Sequence, residues 1–289
     1  MANCENCPSN GTCSSKEKEQ CGFEQLNQYS KIKATVAVMS GKGGVGKSSV
    51  SVMLAKELKR RGLRVGILDA DITGPSVPRL MGIPAGTRCK QEALGIEPVE
   101  RDGIKVISLN FFLENEEDPV IWRGPILSGA VRQFWTDVFW GELDCLVIDM
   151  PPGTGDVVLT VMQSLPLTAA LVVSTPHDLA SMVVAKSVNM ARKLNVNILG
   201  LVENMAYIQC PDCGRKIRLF SEQPMNDFLE RENLELLGSL PMLPQVAAMS
   251  QSGSLALEGE AAQTLASVGA RVLHDIGAKP QPGPEPEKA

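Results

Sequence analysis

The chain has 289 residues, 44% of them hydrophobic, and a mean hydropathy of zero, enough for one large core or two modest ones. Its net charge of -5 and pI of about 5.3 leave no chain-wide basic footprint, which argues against nucleic acid or an anionic membrane as the main ligand. No apolar run approaches the roughly 18 residues of a spanning helix, and MANCENCPSNGTC lacks the apolar stretch of a secretory signal, so a cytoplasmic location is expected.

Residues 1–33 are polar and cysteine-rich without apolar periodicity, and they read as an appended arm that orders around a metal or not at all. Two, five and seven residues separate Cys4, Cys7, Cys13 and Cys21 in turn. Four thiolates on one arm can close a metal site within one chain. In a leaderless chain of this size, eight cysteines read as reduced thiols, often metal-binding, rather than as a disulfide framework.

Residues 34–277 read as one domain. Val-, Ile- and Leu-rich runs recur at 34–39, 64–68, 104–109, 145–148, 169–174 and 198–202, as strands buried on both faces of a parallel sheet require. Between them lie segments with helical spacing. In 48–61, Val50, Leu54 and Leu58 share one face, and Gly62 stands where a helix C-terminus favours a left-handed residue. A second helix is predicted over 178–194, with Asp178 as N-cap. The alternation implies an α/β, doubly wound, mostly parallel sheet whose ligand crevice lies at the carboxyl ends of the strands. The Pro-rich residues 278–289 read as a disordered tail.

The loops after those strands carry the chemistry. GKGGVGKS (Gly41 to Ser48) follows the first strand and opens a helix, the context a phosphate-binding P-loop needs. Gly41, Gly43, Gly44 and Gly46 let backbone N–H groups of the loop, Val45 included, close around phosphate oxygens beside the helix N-terminus. Lys47 is placed to neutralise the β- and γ-phosphates of ATP, and Ser48, followed by Ser49, to join the Mg2+ shell. DADITGPS puts Asp69 and Asp71 at one strand end, and DMPPGTGD puts Asp149 at another, where carboxylates meet Mg2+ or water. Asp69 serves equally well as a turn or capping residue. The Asn204 amide has the donor and acceptor to pair with adenine, or to close a turn.

CPDCG places Cys210 and Cys213 at the spacing of zinc and iron–sulfur sites. Two thiolates complete neither a tetrahedral site nor a cubane, so a homodimer supplying four would support a bridging [4Fe-4S] cluster. Zinc shared with other cysteines and a redox pair stay open. Cys145 reads as a core thiol, and Cys89 as a residue of a polar loop.

Together with WRGP (Trp122 to Pro125), WGELDCLVIDMPPGTGD and ENMA, these motifs resemble the Mrp/Nbp family of deviant Walker A ATPases over about Thr35 to Met249. The resemblance implies that Lys42 reaches across a homodimer interface to the partner's nucleotide, in the manner of an arginine finger. It also implies that Asp149 holds Mg2+ through water, Asp71 activates the attacking water, Asp69 supports the metal shell and Asn204 contacts the base. CENCPSNGTC is similar to the ferredoxin-like extension of Nbp scaffolds, except that the fourth cysteine, Cys21, lies downstream of the pair. The function implied is an ATPase that carries iron–sulfur clusters to apo-proteins, without nucleic acid or membrane as partner. The alternatives are a Min- or Par-like switch with zinc-bound cysteines and an ATP-coupled iron–sulfur reductase.

Overall fold

The structure, a computed structural model, describes residues 23–113, 124–177, 182–210, 212–242, 249, 253 and 257–277. Cys4, Cys7, Cys13, Cys21, Trp122, Asp178 and residues 278–289 lie outside them.

The strands are β1 (Lys31–Ile32), β2 (Thr35–Ser40), β3 (Val65–Asp69), β4 (Lys90–Glu92), β5 (Gly95–Glu97), β6 (Val99–Arg101) and β7 (Ile104–Ile107). They continue as β8 (Glu142–Leu143), β9 (Cys145–Asp149), β10 (Ala169–Ser174), β11 (Ile198–Glu203), β12 (Ile208–Gln209), β13 (Lys216–Ile217) and β14 (Leu236–Ser239). The helices are α1 (Lys47–Arg60), α2 (Val77–Leu80), α3 (Gly124–Thr136), α4 (Asp156–Ser164), α5 (Met182–Lys193), α6 (Gln223–Arg231) and α7 (Gly259–Asp275).

Among the described residues the main sheet has eight strands in the order β14-β11-β10-β2-β9-β3-β7-β6. All its pairings are parallel except that of β6, which returns antiparallel to β7 at the edge. Side chains alternate across the pleat. Val36 and Val38 enter the core beneath α1 and α7, while Ala37 and Met39 enter the one beneath α3, α4 and α5. Both faces are thereby covered, which is why the strands read as continuous apolar runs. No helix among the described residues is long and apolar enough to cross a membrane.

The expected strands are all present, with ends displaced by a residue or two. The run expected to 109 stops at Ile107, because the Ser108 hydroxyl turns inward to Asp69 Oδ2 at 3.1 Å and a 3-10 turn, Leu109–Phe111, follows. Val50, Leu54 and Leu58 are buried, and Gly62 closes α1 at φ 86°. One reading changes. The end of the residue 1–33 segment packs on the domain from Glu24 onward: Glu24 N–H donates to Ser164 O at 2.8 Å, and Trp135 Nε1–H donates to Glu24 O at 2.9 Å. β1 then pairs with β8, and Leu26 and Ile32 touch the core, anchors too sparse to register as periodicity. Cys89, in the polar loop before β4 as expected, is half-buried against both cores, and burial pushes its thiol up to about 11. Cys145 is a buried core thiol, pushed up to about 12 by burial.

Candidate nucleotide site and cysteine hairpin

β2 ends at Ser40, and the chain turns over the sheet edge into α1. Gly44 and Gly46 hold φ of 83° and 79°, left-handed values that a side chain would strain, and a Cβ on Gly44 would meet nothing within 4 Å. The loop is pinned at both ends. Ser40 Oγ donates to Lys42 O at 3.0 Å, and a Cβ on Gly41 would lie 2.7 Å from Val184 N, so the loop's entry rests on the backbone of α5. At its exit, Asn204 Nδ2 donates to Val45 O at 2.9 Å.

Lys47 lies on the first turn of α1 and is buried. Its Nζ sits 2.8 Å from Asp149 Oδ1 and 3.6 Å from Asp71 Oδ2. Ser48 Oγ donates to Asp149 Oδ2 at 2.6 Å. Sequence reasoning missed Ser51, whose hydroxyl donates to Asp149 Oδ1 at 2.7 Å. Its position four residues after Lys47, on the same helical face, was the available signal. Asp149 ends β9 directly across the register from Val38 of β2 and Asp69 of β3, so the parallel sheet delivers both carboxylates to one edge.

Burial pushes the Asp71 carboxyl up, opposed by the Lys47 ammonium. Asp71 lines a cleft of about 370 Å³ with Lys42, Gly43, Gly44, Gly46, Lys47, Ser48 and Ser49. Gly74 and Ser76 of the DADITGPS motif line it too, as does Arg79 just beyond the motif. Asp69 is placed differently: fully buried, it accepts the Ser108 hydroxyl and the Asp71 N–H, the latter at 3.2 Å. Burial, then the Asp149 charge, push its carboxyl well up. Asn204 likewise is buried beside the loop, with its amide nitrogen engaged by Val45. The PPGTG loop after Asp149 is tied to the P-loop strand, since Gly153 N–H donates to Ser40 O at 2.9 Å, and Pro152 packs 3.9 Å from a Cβ on Gly43.

The donor set fits a magnesium nucleotide. Left-handed glycines beside a helix N-terminus favour an anion, and a hydroxyl with carboxylates supplies the hard oxygens that Mg2+ takes.

A second feature stands apart from the cleft. β12 and β13 form a short antiparallel hairpin whose tip holds half-buried Cys210 and exposed Cys213. Cys210 N–H donates to Arg215 O and Gly214 N–H to Cys210 O, both at 2.9 Å, with Gly214 at φ 69°. The backbone N–H groups of Cys213 and Asp212 are directed at the Cys210 sulfur and, with the Cys213 thiol, hold it below its ordinary range. Such donors favour the thiolate form, the form in which a cysteine ligates metal. Among the described residues no group of three or more His, Cys, Asp or Glu is placed to hold a metal ion.

Fold and site together define a P-loop NTPase of the deviant Walker A type, with the second lysine, Lys42, inside the loop. The chain belongs to the NUBPL iron-transfer P-loop NTPase family, whose model matches residues 31–276. It is 47% identical over 255 residues to an iron-sulfur cluster carrier protein of Clostridium perfringens, covering 84% of this chain and 89% of that one. A Methanocaldococcus jannaschii protein of the same name is 40% identical over 282 residues, covering 96% and 97% of the two chains. Among solved structures, a nucleotide-binding protein from Archaeoglobus fulgidus in complex with ADP superposes with a TM-score of 0.68 at 42% identity, covering 77% of this chain and 87% of that one. The MinC:MinD complex of Aquifex aeolicus, at 15% identity, a TM-score of 0.58 and coverage of 83% and 96%, shares the fold.

Proposed function

We propose that this chain is an ATP-dependent carrier that binds a [4Fe-4S] cluster on Cys210 and Cys213 of two copies and delivers it to apo-proteins. The observation that carries this reading is the hairpin, where backbone N–H donors face the half-buried Cys210 beside the exposed Cys213 and further ligands are lacking among the described residues. A two-fold axis would supply the missing pair. The relatives named as iron-sulfur cluster carrier proteins supply the cargo class, and Cys4, Cys7, Cys13 and Cys21 are read as a second cluster site on the arm.

In the cleft, Lys47 neutralises the β- and γ-phosphates, Ser48 and Asp149 hold Mg2+, and the ion supplies charge neutralisation at the transferring phosphoryl group. Asp71, at the cleft wall, orients the attacking water and takes its proton. Lys42 is exposed on the loop and is assigned to the nucleotide of a second copy. Asp69 supports the arrangement from behind through the Asp71 N–H, and Asn204 serves the base side while bracing Val45. The chain is assigned to the cytoplasm, with neither membrane nor nucleic acid as a partner.

Anaerobic reconstitution with iron and sulfide, followed by metal analysis and absorption near the ~400 nm thiolate-to-iron band, tests the reading. Iron and sulfide uptake that falls when Cys210 and Cys213 are changed to Ala is expected. Zinc alone, with no brown chromophore, would refute the cargo.

A further inference from the structure

The nucleotide cleft and the cysteine hairpin are joined by one short stretch of chain, Glu203 to Ala206, which leaves β11 and enters β12. Two adjacent residues of it touch the two sites. The Asn204 side chain donates to Val45 O in the P-loop, and a Cβ on Gly46 would lie 2.2 Å from Asn204 Nδ2, so a shift of the loop bears directly on that amide. Next to it, the buried carboxylate of Glu203 faces Arg218, one residue beyond β13 of the hairpin, with Nη1 to Oε2 at 3.8 Å. The backbone of the stretch is stiff. Asn204 N–H donates to Ser174 O, Ala206 N–H to Leu240 O and Leu240 N–H to Glu203 O, each at 2.8 Å, while Met205 is held at φ 55°.

Arg218 lies over the Tyr207 ring, 5.7 Å from its centroid, and has two carboxylate partners of unequal quality. Its Nε makes a full contact with the exposed Glu222 at 2.7 Å, whereas the contact to Glu203 is a loose charge pair beyond hydrogen-bonding range. Ser239 Oγ donates to the Glu203 carboxylate at 2.7 Å and fixes its rotamer, so the carboxylate follows its own backbone while the guanidinium can change partner. A side chain divided between two carboxylates is a two-state element, and a small displacement of either end shifts its preference.

We propose that Arg218 and Glu203 transmit the nucleotide state of the P-loop to the cysteine pair: phosphate binding repositions Val45 and Asn204, Glu203 moves with them, and Arg218 draws or releases the hairpin. The inference rests on the nucleotide and thiol readings above. Both residues are positioning groups that touch neither nucleotide nor cargo.

The test follows thiol reactivity on the full-length, reduced and metal-free protein, so no cluster is needed. Iodoacetamide alkylation of Cys210 and Cys213 is resolved by peptide mass spectrometry with and without a magnesium complex of a non-hydrolysable ATP analogue. In the unchanged chain the analogue is expected to alter the alkylation rate by about 2- to 30-fold, the span of measured coupling energies. Arg218→Gln and Glu203→Gln should abolish that response while calorimetric affinity for the analogue and the thermal midpoint stay close to those of the unchanged chain. Arg218→Lys should restore part of it. Retention of the full response in both Gln variants overturns the proposal, as does a parent chain with no response. Loss of analogue affinity together with the response also overturns it, since the pair would then belong to the nucleotide site itself. A chain that takes up no iron on Cys210 and Cys213 yet keeps the response would sink the cargo reading and leave the coupling standing.

Discussion

The Lys47 ammonium lies 2.8 Å from Asp149 Oδ1, and both groups are buried. Ser48 and Ser51 supply the remaining donors, so the carboxylate is fully served by side chains of α1. Lys47→Ala therefore does two things. It removes the cation proposed to meet the phosphates, and it leaves a buried carboxylate without its counter-charge, at a cost of about 3 kcal/mol. Urea unfolding without nucleotide should show that loss, and Asp149→Asn in the same chain should recover part of it. Calorimetry should find no ATP binding in the single variant; undiminished binding would refute the P-loop assignment.

The role proposed for Asp71 separates binding from turnover. Asp71→Asn keeps the size of the side chain but cannot accept a proton, so ATP hydrolysis is expected to fall about 100-fold or more with affinity nearly unchanged. Burial raises this carboxyl above its ordinary 3.8, and the role proposed for it requires the deprotonated form. Steady-state hydrolysis should therefore decline on acidification at a higher pH than an ordinary aspartate would give. A profile flat through the acid range would exclude Asp71 as the base.

Gly41 has no room for a side chain, since a Cβ would stand 2.7 Å from Val184 N and 2.9 Å from its Cα, both backbone atoms of α5. In Gly41→Ala the P-loop must move away, costing about 1–3 kcal/mol and displacing the phosphate cradle. A lower thermal midpoint with weakened nucleotide affinity is the expected pair of results. Gly44→Ala, with open space but φ 83°, should also be strained, without the clash.

Asp69 is a liability at neutral pH. Its carboxyl is raised well above 3.8, chiefly by burial, so the folded chain binds a proton that the unfolded chain has already lost. Its contribution to stability is full below the unfolded value and is lost as pH rises through the raised one. In Asp69→Asn that decline should disappear, with Ser108 and the Asp71 N–H still able to bond the amide. Denaturant melts from pH 4 upward would show a flatter profile, and an unchanged slope would contradict the assignment.

How much of this was legible in the sequence differs from place to place. Short apolar runs and the spacing of Val50, Leu54 and Leu58 determined the strands and α1, because burial on both faces of a parallel sheet leaves that local signature. The motif at residues 41–48 likewise fixed the phosphate loop, since its glycines answer to backbone conformation, a local property. The packing of Glu24 to Ile32 was not legible, because it depends on scattered backbone hydrogen bonds to partners more than a hundred residues away. Only the folded chain decided that Asp69 faces inward while Asp71 faces the cleft, that Asn204 braces Val45, and that Glu203 meets Arg218. Those relationships follow from strand register and loop closure, which bring together side chains whose neighbours in sequence carry no trace of the contact.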